Sequence, residues 1–321
     1  MGKQAWSWEE FVPNLFHPQM CDSDVAYERV LDRLHLMRLG TFCLDVNECG
    51  YEVKNMLCIC AFPVGTVGNA TPKHFAPEDV HRLLEDNRHV DIVSYSHGNA
   101  ESVHSLKSMR DFVTIHMKCI FVSYEWQGYG TDHKLKPRFH AQSTRCQALL
   151  RFLKRTRFDL SGLQCNVIPV GYSLGCAIVL DAVKKIRNVR VPDRRHKCNN
   201  NFKAIVLFAP FLSAFSMLIR STILSDLSTH MFSPMNNANA IKDVGTNLFV
   251  AHGTLDEVIP IQHSHELVRI YKSAVANSAY ASELCVIEKG NHVSLFSNPH
   301  KHYLSDKLCK FLSRVNATIT A

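Results

Sequence analysis

The sequence predicts an α/β fold: a mostly parallel central sheet flanked by helices. Three observations lead there. From residue 91 onward short apolar runs alternate with amphipathic stretches, the pattern of βαβ units. Those runs are apolar almost throughout, as strands covered on both faces are. And a chain of 321 residues, 46% hydrophobic and 20% charged, has the composition of a globular protein large enough to bury its own core.

The elements follow in order. Residues 1–40 read as an N-terminal helical extension, with apolar residues at helical spacing over 24–39. The main domain, 41–321, opens with two antiparallel strands, 41–46 and 55–64, joined around a turn at 48–51 that contains Gly50. A loop and a short helix, "APEDVHRLLED", come next. Strands then fit at 91–96, 119–124, 165–170, 204–208, 247–251 and 284–288, and helices at 103–115, 141–154, 174–186, 262–276 and 299–315. Between the sixth and seventh strands, 209–246 is expected to form a small lid, because its first half, "APFLSAFSMLIRSTIL", is apolar. The other reading is that these side chains pack on the sheet. A basic insertion at 184–202 follows the helix that starts at residue 174.

Composition narrows the class. The twelve cysteines are scattered, and many sit in apolar runs, which suits buried free thiols in a reducing compartment. Cys58 and Cys60 are one residue apart with no matching Cys/His pair, so no zinc site is expected, and no cofactor either. The longest uncharged apolar run, 204–219, has sixteen residues and an internal proline, too short to span a membrane. "MGKQAWSWEEF" is polar and unlike a secretory signal, which leaves the sequons at Asn69 and Asn316 without meaning. Gly2 invites myristoylation, but Trp6 stands where that motif wants Ser or Thr. The expected location is cytoplasmic, peripheral at a membrane at most, and not secreted. Net charge is +7, and residues 184–197 hold seven Lys/Arg against one Asp. That stretch is either a solvated loop or a weak contact for anionic lipid headgroups. No aromatics interleave the charges, so nucleic acid is not expected as a partner.

Four short motifs carry the chemistry, each placed just past a strand end, where parallel sheets gather their sites. Gly171-Tyr172-Ser173-Leu174-Gly175 is a G-x-S-x-G pentapeptide. Such a match arises by chance in roughly one chain in ten of this length, so its flanks decide. A strand runs into it and a helix runs out, the context of a nucleophile elbow; the bland alternative is a helix N-cap serine. A serine hydroxyl needs a base. His292, in "EKGNHVSL", sits in a loop after the last strand, with His300 and His302 as competitors opening the final helix. Asp256, in "HGTLDEVIP", is placed to orient that base. Its alternatives are an Asx-turn and its neighbour Glu257. "SHGNAES" supplies a loop in which the N–H of Asn99 or Ala100 would pair with that of Leu174 as an oxyanion hole. Gly98 allows close approach to substrate. His97 reads as a structural hydrogen-bonding residue rather than a catalyst.

The order loop donor, Ser, Asp, His is the chain order of α/β-hydrolases. From about residue 40 to 315 the sequence resembles that superfamily. "SHGNAES", "SYEWQGYG", "GYSLG", "HGTLDEVIP" and "EKGNHVSL" are most similar to the branch that includes membrane-associated protein depalmitoylases and peptidase-like proteins of clan SC. The resemblance implies Ser173, Asp256 and His292 as a triad, and Tyr124, Gly128, Tyr129 and Gly130 as a turn shaping the pocket floor. Phe211 is the candidate pocket residue from the lid. The depalmitoylases carry an N-terminal cysteine cluster, whereas the first forty residues here contain only Cys21. The expected activity is a serine hydrolase acting on an acyl ester or thioester, presented in part by a membrane. A peptidase or amidase of the same fold and a non-catalytic binding scaffold are the alternatives.

Overall fold

A computed structural model describes residues 40–48, 51–63, 75–87, 89–130, 132, 135–158, 166–188, 202–219 and 235–317. The expected helical extension, the turn at 49–50, Cys21 and Cys165, most of the basic insertion and lid residues 220–234 lie outside them.

The strands are β1 (Gly40–Glu48), β2 (Tyr51–Ala61), β3 (Ile92–Ser96), β4 (Ile120–Tyr124), β5 (Val167–Tyr172), β6 (Ile205–Phe208), β7 (Leu248–Gly253) and β8 (Ser282–Ile287). The helices are α1 (Pro77–Asp86), α2 (Lys107–Asp111), α3 (Phe139–Phe158), α4 (Leu174–Asn188), α5 (Ala214–Ile219), α6 (Asn237–Ala240), α7 (Gln262–Ala274) and α8 (His300–Ala317). A π-turn, Phe112–His116, extends α2. The eight strands form one sheet in the order β1-β2-β4-β3-β5-β6-β7-β8. β1 and β2 pair antiparallel, as do β2 and β4; all other pairs are parallel.

Alternate strand residues feed two separate cores. Ile92, Val122, Val167, Leu207 and Val250 face α1, α3, α4 and α7. Val93, Phe121, Ile168, Val206 and Phe249 face α2 and α8. With both faces covered, strand positions of either parity are apolar, which is why the sequence shows runs rather than alternation. The chain leaves β3 toward β4, then crosses back to β5 on the other side. That reversal lies between β3 and β5, the position at which open α/β sheets form a crevice past their carboxyl ends. The loops after β3 and β5 meet there.

Of the segment expected to form a lid, residues 209–219 and 235–246 are described. Phe211, Leu212 and Ala214 are buried in the same core as α4, together with Met235 and Ala238. Their apolar character is core packing, so the greasy start of this segment says nothing about substrate. Where it is described, the basic stretch pairs with neighbouring groups of the chain at the surface. Lys184 pairs with Asp243 at 2.7 Å, Lys185 with Asp181 at 2.6 Å, and the Arg187 guanidinium packs over Gly245.

Candidate active site

Ser173 stands between the last residue of β5 and the first of α4, with φ +54°. A non-glycine residue in this left-handed region is strained by about 1–3 kcal/mol. Two bonds hold it there: its N–H donates to Phe208 O at 2.9 Å, and its carbonyl accepts from Cys176 N at 3.0 Å. The flanking glycines are required by close approach. A Cβ on Gly171 would lie 2.6 Å from Cys176 Cα, and one on Gly175 would lie 2.1 Å from Ser96 O. Both obstacles are backbone, so neither can swing aside. Gly175→Ala is accordingly expected to destabilise the protein by about 1–3 kcal/mol, by forcing β3 and α4 apart. Urea denaturation checks this, and an unchanged midpoint would contradict it.

His292 lies on the loop after β8. Its Nε2 is 3.1 Å from Ser173 Oγ and its Nδ1 is 2.7 Å from Asp256 Oδ2. Because Nδ1 faces a carboxylate oxygen it carries the proton, and Nε2 turns a bare lone pair toward the serine hydroxyl. The loop is fixed from below: Tyr172 Oη donates to His292 O at 2.7 Å, and the Phe296 ring packs edge-on against Phe208 and Tyr172. His302 is instead in a ring contact with His116, so the late histidine beside the serine is His292.

Asp256, in the loop after β7, uses its two oxygens differently. Oδ1 accepts from Val258 N at 2.9 Å and Ile259 N at 2.8 Å, which is the Asx-turn. Oδ2 faces His292. The Asx-turn uses one oxygen and the contact with His292 uses the other. Burial alone would raise its pKa, but hydrogen bonds from His252, His292 and the Ile259 N–H outweigh that and hold the carboxyl well below the usual range.

His252, which the sequence reading did not single out, lies under this carboxylate. Its Nε2 is 2.8 Å from Ile259 O and 3.2 Å from Asp256 Oδ2, while its Nδ1 is 2.6 Å from Ser264 Oγ. Two acceptors at Nε2 place the proton there, and Ser264 donates to Nδ1. The only hint in the sequence was its place at the end of an apolar strand.

The loop after β3 is held by three side chains. His97 Nδ1 bonds Gly98 O at 2.8 Å, Glu101 Oε2 accepts from Gly98 N at 2.7 Å, and Asn99 Oδ1 accepts from Tyr129 Oη at 2.7 Å. Tyr95 Oη also donates to Glu101. Ala100 is exposed at the loop tip. Leu174 opens α4, and its N–H belongs to the first turn, where helix donors have no intrahelical acceptor. Tyr124 bonds Ser96 through its hydroxyl and is fully buried, as is Tyr129; Phe211 is buried in the core. These three act as supports and offer almost no surface to a substrate. Among the described residues no group of His, Cys, Asp and Glu has the arrangement of a metal site.

No family model matches the sequence. It is 27% identical to human alpha/beta hydrolase domain-containing protein 17C over 169 residues, 53% of this chain and 45% of that protein. The Xenopus tropicalis 17C protein is 26% identical over 171 residues, 53% of this chain and 48% of its own. The chain thus matches about half the length of these relatives. Among solved structures, the Pyrococcus furiosus esterase Pf2001 superposes with a TM-score of 0.57 at 12% identity, covering 94% of this chain and 97% of that one. Est1E from Butyrivibrio proteoclasticus, solved with ferulic acid bound, gives 0.53 at 13%, covering 85% and 99%. These two structures speak for the fold. With the sheet order and the strand–Ser173–helix turn, they show that the chain has the α/β-hydrolase fold.

Proposed function

We propose that the protein is a serine hydrolase that cleaves an acyl ester or thioester through an acyl-enzyme on Ser173. The observation that carries the proposal is the continuous chain from Asp256 Oδ2 through both nitrogens of His292 to Ser173 Oγ, with the serine strained outward at φ +54°. His292 Nε2 takes the hydroxyl proton as Oγ attacks the carbonyl carbon. The carbonyl oxygen becomes an oxyanion, received by the N–H of Leu174 and that of Asn99 or Ala100. His292 then gives its proton to the departing alcohol or thiol. Water, deprotonated by the same imidazole, attacks the acyl-enzyme, and Ser173 leaves with the proton restored. Asp256 stabilises the imidazolium formed at each stage.

An acyl-chain substrate is favoured by the rim. Of the six large hydrophobic residues exposed among the described residues, three lie in the loops that carry Asp256 and His292: Leu255, Val258 and Val293. Apolar surface beside a nucleophile suits a greasy chain, or a membrane that presents one. The motif resemblance to membrane-associated depalmitoylases favours the thioester. No helix among the described residues is long and apolar enough to cross a membrane.

A fluorophosphonate probe tests the proposal. Wild type should label and Ser173→Ala should not; an unlabelled wild type leaves only a binding scaffold. p-Nitrophenyl esters of rising chain length, set against peptide anilides, then decide the substrate. Preference for acyl esters of eight or more carbons, about tenfold in kcat/KM over acetate, is the expected result, and preference for the anilides would mark a peptidase.

A further inference from the structure

Behind the loop after β3 lies a buried polar cluster that the mechanism above does not use. Its centre is Glu125, the residue after β4, with 1% of its surface exposed. Oε1 accepts from Trp126 N at 3.2 Å, while Oε2 has no hydrogen-bond partner. Two imidazoles flank the carboxyl: His97 Nε2 is 3.8 Å from Oε1, and His104 Nε2 is 3.9 Å from Oε2. His97 Nε2 also lacks a partner, and its ring stacks on Trp126 at 4.1 Å between centroids. Gly130 closes the cluster, since a Cβ there would fall 2.1 Å from Glu125 Oε2.

The proton positions follow from the neighbours. His97 Nδ1 faces the Gly98 carbonyl and so carries hydrogen. Its Nε2 is then a bare acceptor pointing toward Glu125. An ionised Glu125 would set a carboxylate against that lone pair. A protonated Glu125 removes that repulsion, leaving a neutral carboxyl 3.8 Å from Nε2. We propose that Glu125 works as a protonated carboxylic acid, a positioning residue that holds His97 and, through the His97–Gly98 bond, the backbone of loop 97–100 that presents the oxyanion donors. The inference rests on the hydrolase reading of that loop.

The surrounding charges agree. Burial pushes the Glu125 carboxyl up to about 8, against the opposing hydrogen bonds from the Trp126 and Val103 N–H groups and the charge of Arg145, with Asp132 adding to the rise. Arg145 comes from α3; one nitrogen donates to Glu125 O at 2.9 Å and the other is paired with Asp132. Burial pushes His97 down to about 3, with His104 adding to the fall, so it stays neutral. Tyr129, also beside Glu125, holds Asn99. When Glu125 gives its proton to solvent, a buried carboxylate faces the His97 lone pair, and the repulsion turns the ring away from its bond with the Gly98 carbonyl.

The experiment is the pH profile of kcat for an ester substrate, with fluorophosphonate labelling in parallel. Wild-type kcat should fall above about pH 8 with KM nearly constant. Glu125→Gln, a neutral stand-in, should keep kcat within about threefold at pH 7 and lose the alkaline fall. Glu125→Ala should lose about tenfold at every pH, the order expected for disturbing an oxyanion donor. Stability gives a second readout if the alanine variant does not fold. A raised carboxyl pKa keeps a proton in the native state that the unfolded chain releases. Wild-type stability therefore falls as pH rises from the ordinary glutamate range through 8, and the Tm advantage of Glu125→Gln should grow over that window. A glutamine variant that keeps the wild-type alkaline fall, or that loses as much kcat as alanine at pH 7, overturns the inference. A wild type that does not label overturns the hydrolase reading, and this one with it.

Discussion

Ser173→Ala is expected to lower kcat on an acyl ester about 10⁶-fold with little change in KM, His292→Ala nearly as much, and the double variant no further than either alone. The reason is geometric. Nε2 lies 3.1 Å from Oγ, within hydrogen-bond reach, so neither group can act without the other. Additive losses in the double variant would mean that His292 and Ser173 work independently, which the mechanism forbids. A companion variant separates activity from folding. The serine sits at φ +54°, where a Cβ is strained and glycine is not. Ser173→Gly should therefore be inactive and more stable by about 1 kcal/mol. Steady-state kinetics and urea denaturation of the four variants check both statements together.

Much of the fold could be read from the sequence because strands buried on both faces leave long apolar runs. The β5 boundary shows where that signal stops. The spacing places the strand at 165–170, but it continues to Tyr172, because Gly171 and Tyr172 pair with Leu207 and Phe208 of β6. Glycine has no side chain to signal a strand, yet its amide is satisfied by the neighbour. Ser173, His292 and Asp256 were legible through strand ends and flanking glycines. The groups that hold them were not. His252, Glu101, Tyr172 and Glu125 act through contacts that form only when the loops and strands fold together, or through burial, and neither leaves a recognisable pattern in the sequence. Phe211 shows a second limit of the sequence. Its apolar neighbourhood suggested a cover over the serine, and periodicity alone could not distinguish that from the core packing observed.

Asp256→Asn is expected to reduce kcat about 10⁴-fold at neutral pH. Asparagine has one oxygen to offer where aspartate has two, and four donors converge on this side chain. The amides of Val258 and Ile259 claim the first oxygen. The amide nitrogen must then occupy the second position, against the Nδ1–H of His292 and the Nε2–H of His252. His292 escapes by moving its proton to Nε2, and in that tautomer it cannot accept from Ser173. His252 retains the Ile259 carbonyl, so the fold survives with reduced stability. The pH dependence has a definite sign. The native carboxyl is held below its ordinary value, so its contribution to stability is present above about pH 4 and lost as pH falls further. The stability gap between wild type and variant, measured by urea denaturation at pH 7 and pH 3, should therefore narrow at the lower pH. This substitution also separates the two readings of Asp256. If the residue served only the Asx-turn, asparagine would be a good replacement, since it forms the same turn through its oxygen. Activity and stability would then stay near wild type. A large fall in kcat with the turn preserved is expected only if the second oxygen does chemistry through His292.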